Sequence, residues 1–132
     1  AKMSKRYFVQ ISTDPDVDPR KCAVALACAV QAITDGHSLN IFFASHAVKL
    51  LQNEFIGGLD ERVSQEPGFC KQMIEALMEG AEAIYCSTGS QAVLGVTPDN
   101  AADVLVGGLE LNWSGPPGVI ELSSNADVSL TY

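Results

Sequence analysis

Apolar and polar positions along the chain follow two alternating periods, and each switch of period marks a change of element. Residues 7–11 are a β-branched and aromatic run that breaks at the turn formers Ser12, Thr13, Asp14, Pro15, Asp16, Val17 and Asp18, so a strand is expected to end there. Asp18 followed by Pro19 supplies an N-cap and the residue best tolerated at the first helical position, and Gly36 after Asp35 supplies a stop. Between them Cys22, Leu26, Ala29 and Ile33 fall at steps of four, three and four, which draws an apolar stripe along a helix. Gly36 and His37 then turn the chain into a second strand over 39–44. Strand, helix and strand in succession predict a parallel pair joined by a right-handed crossover.

The alternation continues to the end of the chain. A short helix is expected over 47–51, whereas 52–66 carries Gly57-Gly58 and several charges without a sustained period and reads as a mobile loop or lid. Helical spacing returns over 67–79, with Cys70, Met73, Ile74, Leu77 and Met78 on one broad face and Gly80 as the stop. A third strand over 83–86 leads into Ser87, Thr88, Gly89 and Ser90, which offer N-caps for a helix over 91–94. Thr97-Pro98-Asp99 caps another short helix that stops at Gly107-Gly108, and a fourth strand follows over 109–113. Ser114 with Pro116-Pro117 opens a last helix to about Ser123, and 127–132 closes the chain as a fifth strand. The expected architecture is a single-domain α/β fold over 1–132, a five-stranded mainly parallel sheet with helices on both faces. Ligands in such sheets bind at the strand carboxyl ends, so Ser12, Thr13, Ser45, Ser87, Thr88, Gly89 and Trp113 are the candidate ligand-binding residues.

Composition narrows the function. The 132 residues are 47% hydrophobic and 18% charged, enough for one domain with its own core. Sixteen acidic against eight basic side chains give a net charge of −8, which repels polyanions and argues against nucleic acid or anionic membranes as partners. The longest apolar stretch, 22–33, is well under the roughly 20 residues that span a bilayer, and a cytoplasmic address is expected. Cys22, Cys28, Cys70 and Cys86 include no C-x-x-C pair, so free thiols are expected.

Most candidate chemistry falls away on inspection. Gly89 to Gly95 superficially suggests a phosphate loop, yet lysine and then serine or threonine must follow the last glycine, and here Val96 and Thr97 follow after the wrong spacing. Asp14, Asp16 and Asp18 have the first spacings of a calcium loop, but Pro19 and Ala25 stand where glycine and glutamate are required, which leaves a solvated turn with one capping aspartate. Two histidines and four scattered cysteines contain no pair at zinc spacing, and no metal or cofactor is expected. His37 reads as a turn residue, while His46 directly follows the second strand and is a candidate partner for Cys86. Cys86 is the strongest single signal. It ends an apolar strand and precedes a helix, where free N–H groups and the helix dipole favour a thiolate. For Cys22, Cys28 and Cys70, placed on helices, the simpler reading is a small buried hydrophobe.

The 7–11 run with its Asp-Pro turn, the Ala-rich helix into Gly36-His37, Ile41-Phe42-Phe43, and Ile84-Tyr85-Cys86 running to Leu94-Gly95-Val96 together resemble the DsrE/DsrF-like family, which includes TusD-type sulfur-relay subunits. The resemblance covers nearly the whole chain. It implies a parallel α/β sandwich, assembly as a homo-oligomer (trimer or hexamer), and a cysteine just after the third strand that carries sulfur as a persulfide, a position matched by Cys86. Relay members have arginines shortly after that cysteine, whereas Gln91, Ala92 and Val93 stand here. Two functions stay open. One is a sulfurtransferase-like sulfur carrier, in which Cys86 takes sulfane sulfur from a donor protein and passes it to an acceptor, with His46, Ser87 or Thr88 stabilising charge. The other is a non-catalytic oligomeric module that binds a small ligand or protein at the same crevice.

Overall fold

The structure, a computed structural model, describes residues 3–132. Five strands, β1 (Arg6–Ile11), β2 (Ser38–Phe43), β3 (Ala83–Ser87), β4 (Leu111–Ser114) and β5 (Val128–Thr131), form one sheet in the order β4-β3-β2-β1-β5, and every neighbouring pair is parallel. The helices are α1 (Pro19–Thr34), α2 (Asn53–Arg62), α3 (Phe69–Gly80), α4 (Thr88–Val93), α5 (Ala101–Val104) and α6 (Pro116–Asn125), with a 3₁₀ helix over Ser45–Leu51. The steps β1 to β2 to β3 to β4 all advance across the sheet in one direction, so right-handed crossovers send their helices to one face. The last connection returns from β4 to the far side of β1, and this reversal sends α6 to the other face. Packing agrees: α1 lies against α3, β1 and β2, whereas a Cβ at Gly118 of α6 would run into Ser114 and rest in van der Waals contact with the Phe42 ring.

Strand parity makes the two faces unequal. Val9, Ile11, Leu39, Ile41, Phe43, Ile84 and Cys86 point into the main core beneath α1 to α3. Phe8 and Phe42 are buried on the second face, where Phe42 stacks on Tyr85 with ring centroids 6.1 Å apart and planes 2° from parallel. That face has thin cover, because α6 contains no fully buried residue.

Sequence chemistry accounts for the ends of the main helices. Asp18 accepts the Lys21 N–H at 3.0 Å and Pro19 occupies the first turn, so α1 starts where expected. Gly80 is the last residue of α3, and a Cβ there would lie 2.6 Å from Ile33 Cγ2, so the glycine lets α3 approach α1 closely as well as ending the helix.

Three expectations are corrected. Residues 52–66 are not a mobile loop: α2 occupies most of the stretch and buries Ile56, Leu59 and Asp60. Gly57 and Gly58 sit on its open face with nothing near an added Cβ, and their cost of roughly 1 kcal/mol each is offset by that burial. Second, the acidic turn is solvated only in part. Lys49 Nζ donates to Asp14 at 3.0 Å and to Asp16 at 2.8 Å, and Arg62 Nη1 donates to Asp16 at 2.9 Å, so side chains from the 3₁₀ helix and α2 clamp the loop after β1. Third, β4 starts at Leu111 and the helix before it shrinks to α5, with the Thr97 N–H donating to Asn100 Oδ1 at 2.8 Å. The first two differences come from partners distant in sequence, which a local reading does not see.

Asp60 is the one buried carboxylate among the described residues, 3% exposed, and it caps α3 from α2 by accepting the Gly68 N–H at 2.9 Å and the Cys70 N–H at 2.7 Å. Burial works to raise its pKa, but the N–H donors at Cys70 and Gly68 outweigh burial and hold the carboxyl below its ordinary range. Asp14 is lowered in the same way, with burial outweighed by the Asp16 N–H and Lys49, and Asp16 is lowered by Lys49 and Arg62. Groups whose folded pKa is depressed stabilise the fold above their unfolded value of about 3.9 and lose that contribution as pH falls through the folded value. Urea unfolding followed by circular dichroism should therefore show stability level above about pH 5 and falling below about pH 4. Asp60→Ala should cost about 3 kcal/mol at pH 7 and flatten the acid-side fall. An unchanged acid limb in the variant would rule out this account of Asp60.

Candidate functional site

At the carboxyl edge of the sheet, β3 hands the chain to one face through α4 while its neighbour β4 hands it to the other through α6. Such a divergence of adjacent connections opens a crevice in parallel sheets. A crevice of about 350 Å³ lies there, its wall including Gln10, Phe42, Ser45, Ser87, Val119 and Ile120. Among the described residues no charged side chain lines it; the polar groups are the Gln10 amide and the hydroxyls of Ser45, Ser87 and Ser90. Ser45 adopts φ 52°, in the left-handed region, as β2 turns into the 3₁₀ helix, and its hydroxyl lies 3.4 Å from His46 Nδ1. Ser87 Oγ accepts the Ser90 N–H at 3.1 Å and thereby caps α4. A smaller cleft of about 180 Å³, lined by Ser45, His46, Ser90, Val93 and Leu94, adjoins it. The two clefts share Ser45 and Ser90, and their rims carry exposed apolar side chains, Val93 at 82% and Ile120 at 67%.

Cys86 does not open into either cleft. Its register partners are Phe43 and Trp113, it points into the main core, and it is 0% exposed. Burial pushes its thiol up to about 11, and the neighbouring Gln91 side chain draws it back only in part. The lowered pKa expected at a strand end before a helix is therefore corrected: desolvation acts on the inward thiol, while the start of α4 is served by Ser87. Burial likewise pushes Cys22 up to about 11 and Cys70 up to about 12, the latter with help from Asp60. Gln91 is itself 0% exposed, and among the described residues neither its Nε2 nor its Oε1 has a partner in hydrogen-bond geometry, so its side chain meets the Cys86 thiol only as a looser polar contact. A buried amide left in that state costs roughly 1–3 kcal/mol.

The other candidates divide. Ser45 and Ser87 meet at the larger crevice. His46 is exposed on the 3₁₀ helix, and no hydrogen bond joins it to Cys86 among the described residues. Ser12 is committed elsewhere, its N–H and hydroxyl donating to the Tyr132 carbonyl at 2.8 and 3.2 Å, and the Thr13 carbonyl accepts from Cys22 Sγ at 3.4 Å. Thr88 and Gly89 are exposed on the first turn of α4. Trp113 lines a separate hollow of about 360 Å³ with Ala101, Leu105 and Leu109. His37 is a turn residue as expected, accepting the Lys5 N–H at Nδ1 and lying against Tyr7 with ring centroids 4.8 Å apart. Sequence reading missed Gln10, Phe42, Ser90, Val119, Ile120 and Gln91. Alternation within 7–11 and an apolar stripe after Pro117 signal some of these, but nothing local marks Gln91.

The sequence pattern of the DsrE/DsrF-like family matches residues 5–132. The chain belongs to the DsrE/DsrF-like family. Among solved structures, the YchN protein from E. coli superposes with a TM-score of 0.68 at 18% identity, over 98% of this chain and 100% of that one. A conserved protein of unknown function from Bacteroides thetaiotaomicron gives 0.61 at 15% identity over 100% of both chains. At these identities the likeness speaks for the fold. A search of curated proteins finds no match. Membership of the DsrE/DsrF-like family suggests a role related to sulfur relay. Among the described residues no helix of this DsrE/DsrF-like chain is long and apolar enough to cross a membrane.

Exposure ranks the thiols, since Cys28 is half-buried while Cys22, Cys70 and Cys86 are fully buried. Iodoacetamide at neutral pH, followed by peptide mass spectrometry, should label Cys28 first in the native protein. Labelling of Cys70 ahead of Cys28 would contradict the burial described.

Proposed function

We propose that this DsrE/DsrF-like domain is a non-catalytic, homo-oligomeric binding module whose crevice at the strand carboxyl ends takes a small neutral ligand or a partner segment, with Cys86 packed in the core of the resting fold. The observation that carries this reading is an uncharged crevice, apolar at Phe42, Val119 and the exposed Ile120 and polar at Gln10, Ser45 and Ser87, with exposed Val93 on the adjoining cleft. A lining without charge in a chain of net charge −8 offers an anion nothing to pair with, so the ligand class is neutral and partly apolar. The thin cover of the second face leaves surface for further copies of the chain, in keeping with a trimer or hexamer. Four unpaired thiols suit the cytoplasm.

Neutral aromatic fragments titrated into isotope-labelled protein should move the amide resonances of Gln10, Ser87 and Ile120, and Ile120→Asp should weaken binding about tenfold or more. Shifts confined to other surfaces, or none at millimolar fragment, would reject the crevice as a binding site. Sedimentation at micromolar concentration should show a species heavier than the 14.0 kDa chain, and a lone monomer would remove the oligomeric part.

A second reading, the sulfur carrier, takes Cys86 as the counterpart of the family's sulfur-carrying cysteine, as the sequence resemblance implies, and is supported by the buried Gln91 amide beside that thiol. In that reading the Cys86 thiolate attacks the outer sulfur of a donor persulfide R–S–S–H. The Sγ–S bond forms, the RS–S bond breaks, and the proton goes to the leaving thiolate, which gives Cys86–S–S⁻ and RSH with no external oxidant. Incubation with glutathione persulfide should then add one sulfur to Cys86 and none to Cys86→Ser. Equal masses for the two proteins would retire the reading.

A further inference from the structure

We propose that Cys86 is a masked reactive-thiol site uncovered by local displacement of α4, and that Gln91 is the residue that sets how readily the mask opens. The electrophile such a site would meet is a sulfane-sulfur donor; for that identity alone the inference rests on the sulfur-carrier reading.

Little holds α4 down. Of its six residues Gln91 alone is buried, so the helix is anchored by an amide whose two polar atoms have no partner where an apolar side chain would gain burial energy. Thr88 and Gly89 lie open to solvent and Val93 is 82% exposed, so the outer surface of α4 adds little packing. The helix runs into Gly95 at φ +76°, with nothing within 4 Å of where a Cβ would stand, which leaves an unobstructed pivot. A segment with one buried side chain, and that one destabilised, belongs at the low end of local stability. Displacing α4 hydrates the Gln91 amide and brings water to the thiol. In water the thiol returns from about 11 toward the ordinary cysteine range near 8.5, so thiolate becomes available near neutral pH.

Two internal controls exist. Cys22 and Cys70 are also 0% exposed with raised pKa values, but each sits on a long helix with several buried neighbours: Ala25, Leu26 and Ala29 on α1, and Met73, Ile74 and Leu77 on α3. They become reactive only when the domain unfolds. Equal burial with unequal anchoring isolates the contribution of α4.

Native protein is exposed to iodoacetamide at neutral pH across urea concentrations below the unfolding transition, and alkylation is resolved by residue. Cys86 should react about tenfold or more faster than Cys22 and Cys70, with a rate nearly independent of urea, as a small local opening requires. Gln91→Leu and Gln91→Met, which replace the unpaired amide with an apolar group of similar size, should slow Cys86 about tenfold toward the Cys22 rate. The same variants should raise the urea midpoint, which shows that they fold. If Cys86 reacts no faster than Cys22 and Cys70, or if neither variant slows it, the mask is not a local one and the proposal is overturned. Fast alkylation of Cys86 without uptake of sulfur from glutathione persulfide upholds the mask and retires the sulfur-carrier reading alone.

Discussion

The handedness of the connections is the constraint on which the rest of this structure depends. Three successive parallel crossovers step the same way across the sheet, and their shared hand places α1 to α5 on one face; the fourth reverses direction and leaves α6 alone on the other. One face therefore becomes a thick, dry core and the other a thin layer over Phe8, Phe42 and Tyr85. The same reversal parts the chain after β3 from the chain after β4 and so creates the crevice. Core, crevice and exposed apolar rim follow from one topological event.

Within that frame the reactivity of the thiol is a contest between two local effects. The end of a parallel strand before a helix offers N–H groups that favour an anion, while the core face removes the water that any anion needs. For Cys86 desolvation wins, because the side chain is inward and the capping duty at α4 has passed to the Ser87 hydroxyl. A buried, partnerless carboxamide above the thiol is then the point of tension in an otherwise well-satisfied interior. Asp60 makes the contrast: it too is a buried polar group, yet two backbone N–H donors hold it, and it organises the start of α3.

Much of the fold was legible in the order of residues. Period-two and helical patterns, with Asp18-Pro19, Gly36, Gly80 and Pro116-Pro117 as punctuation, specify five strands, the main helices and a parallel sheet, since backbone geometry and capping act within a few residues. The stretch 52–66 was not legible, because Gly57-Gly58 lowers local helix preference and what restores it, the burial of Ile56 and Leu59 and the ties of Arg62 and Asp60, comes from residues brought together by folding. At the candidate site the sequence located the right edge of the sheet and found Ser45 and Ser87, but scattered Ser12, Thr13 and Trp113 into other surroundings.

What the sequence by itself determined is therefore the list of elements, their parallel arrangement and the edge at which ligands meet the sheet. What only the tertiary structure decided is which way each side chain at that edge faces. Ala83, Ile84, Tyr85 and Cys86 are apolar on both alternations, so parity alone cannot say whether Cys86 or Ser87 turns toward the crevice. That choice is made by register with Phe43 and Trp113 and by the face to which the crossovers send the core, and it separates a sealed thiol from an open hydroxyl by a single residue.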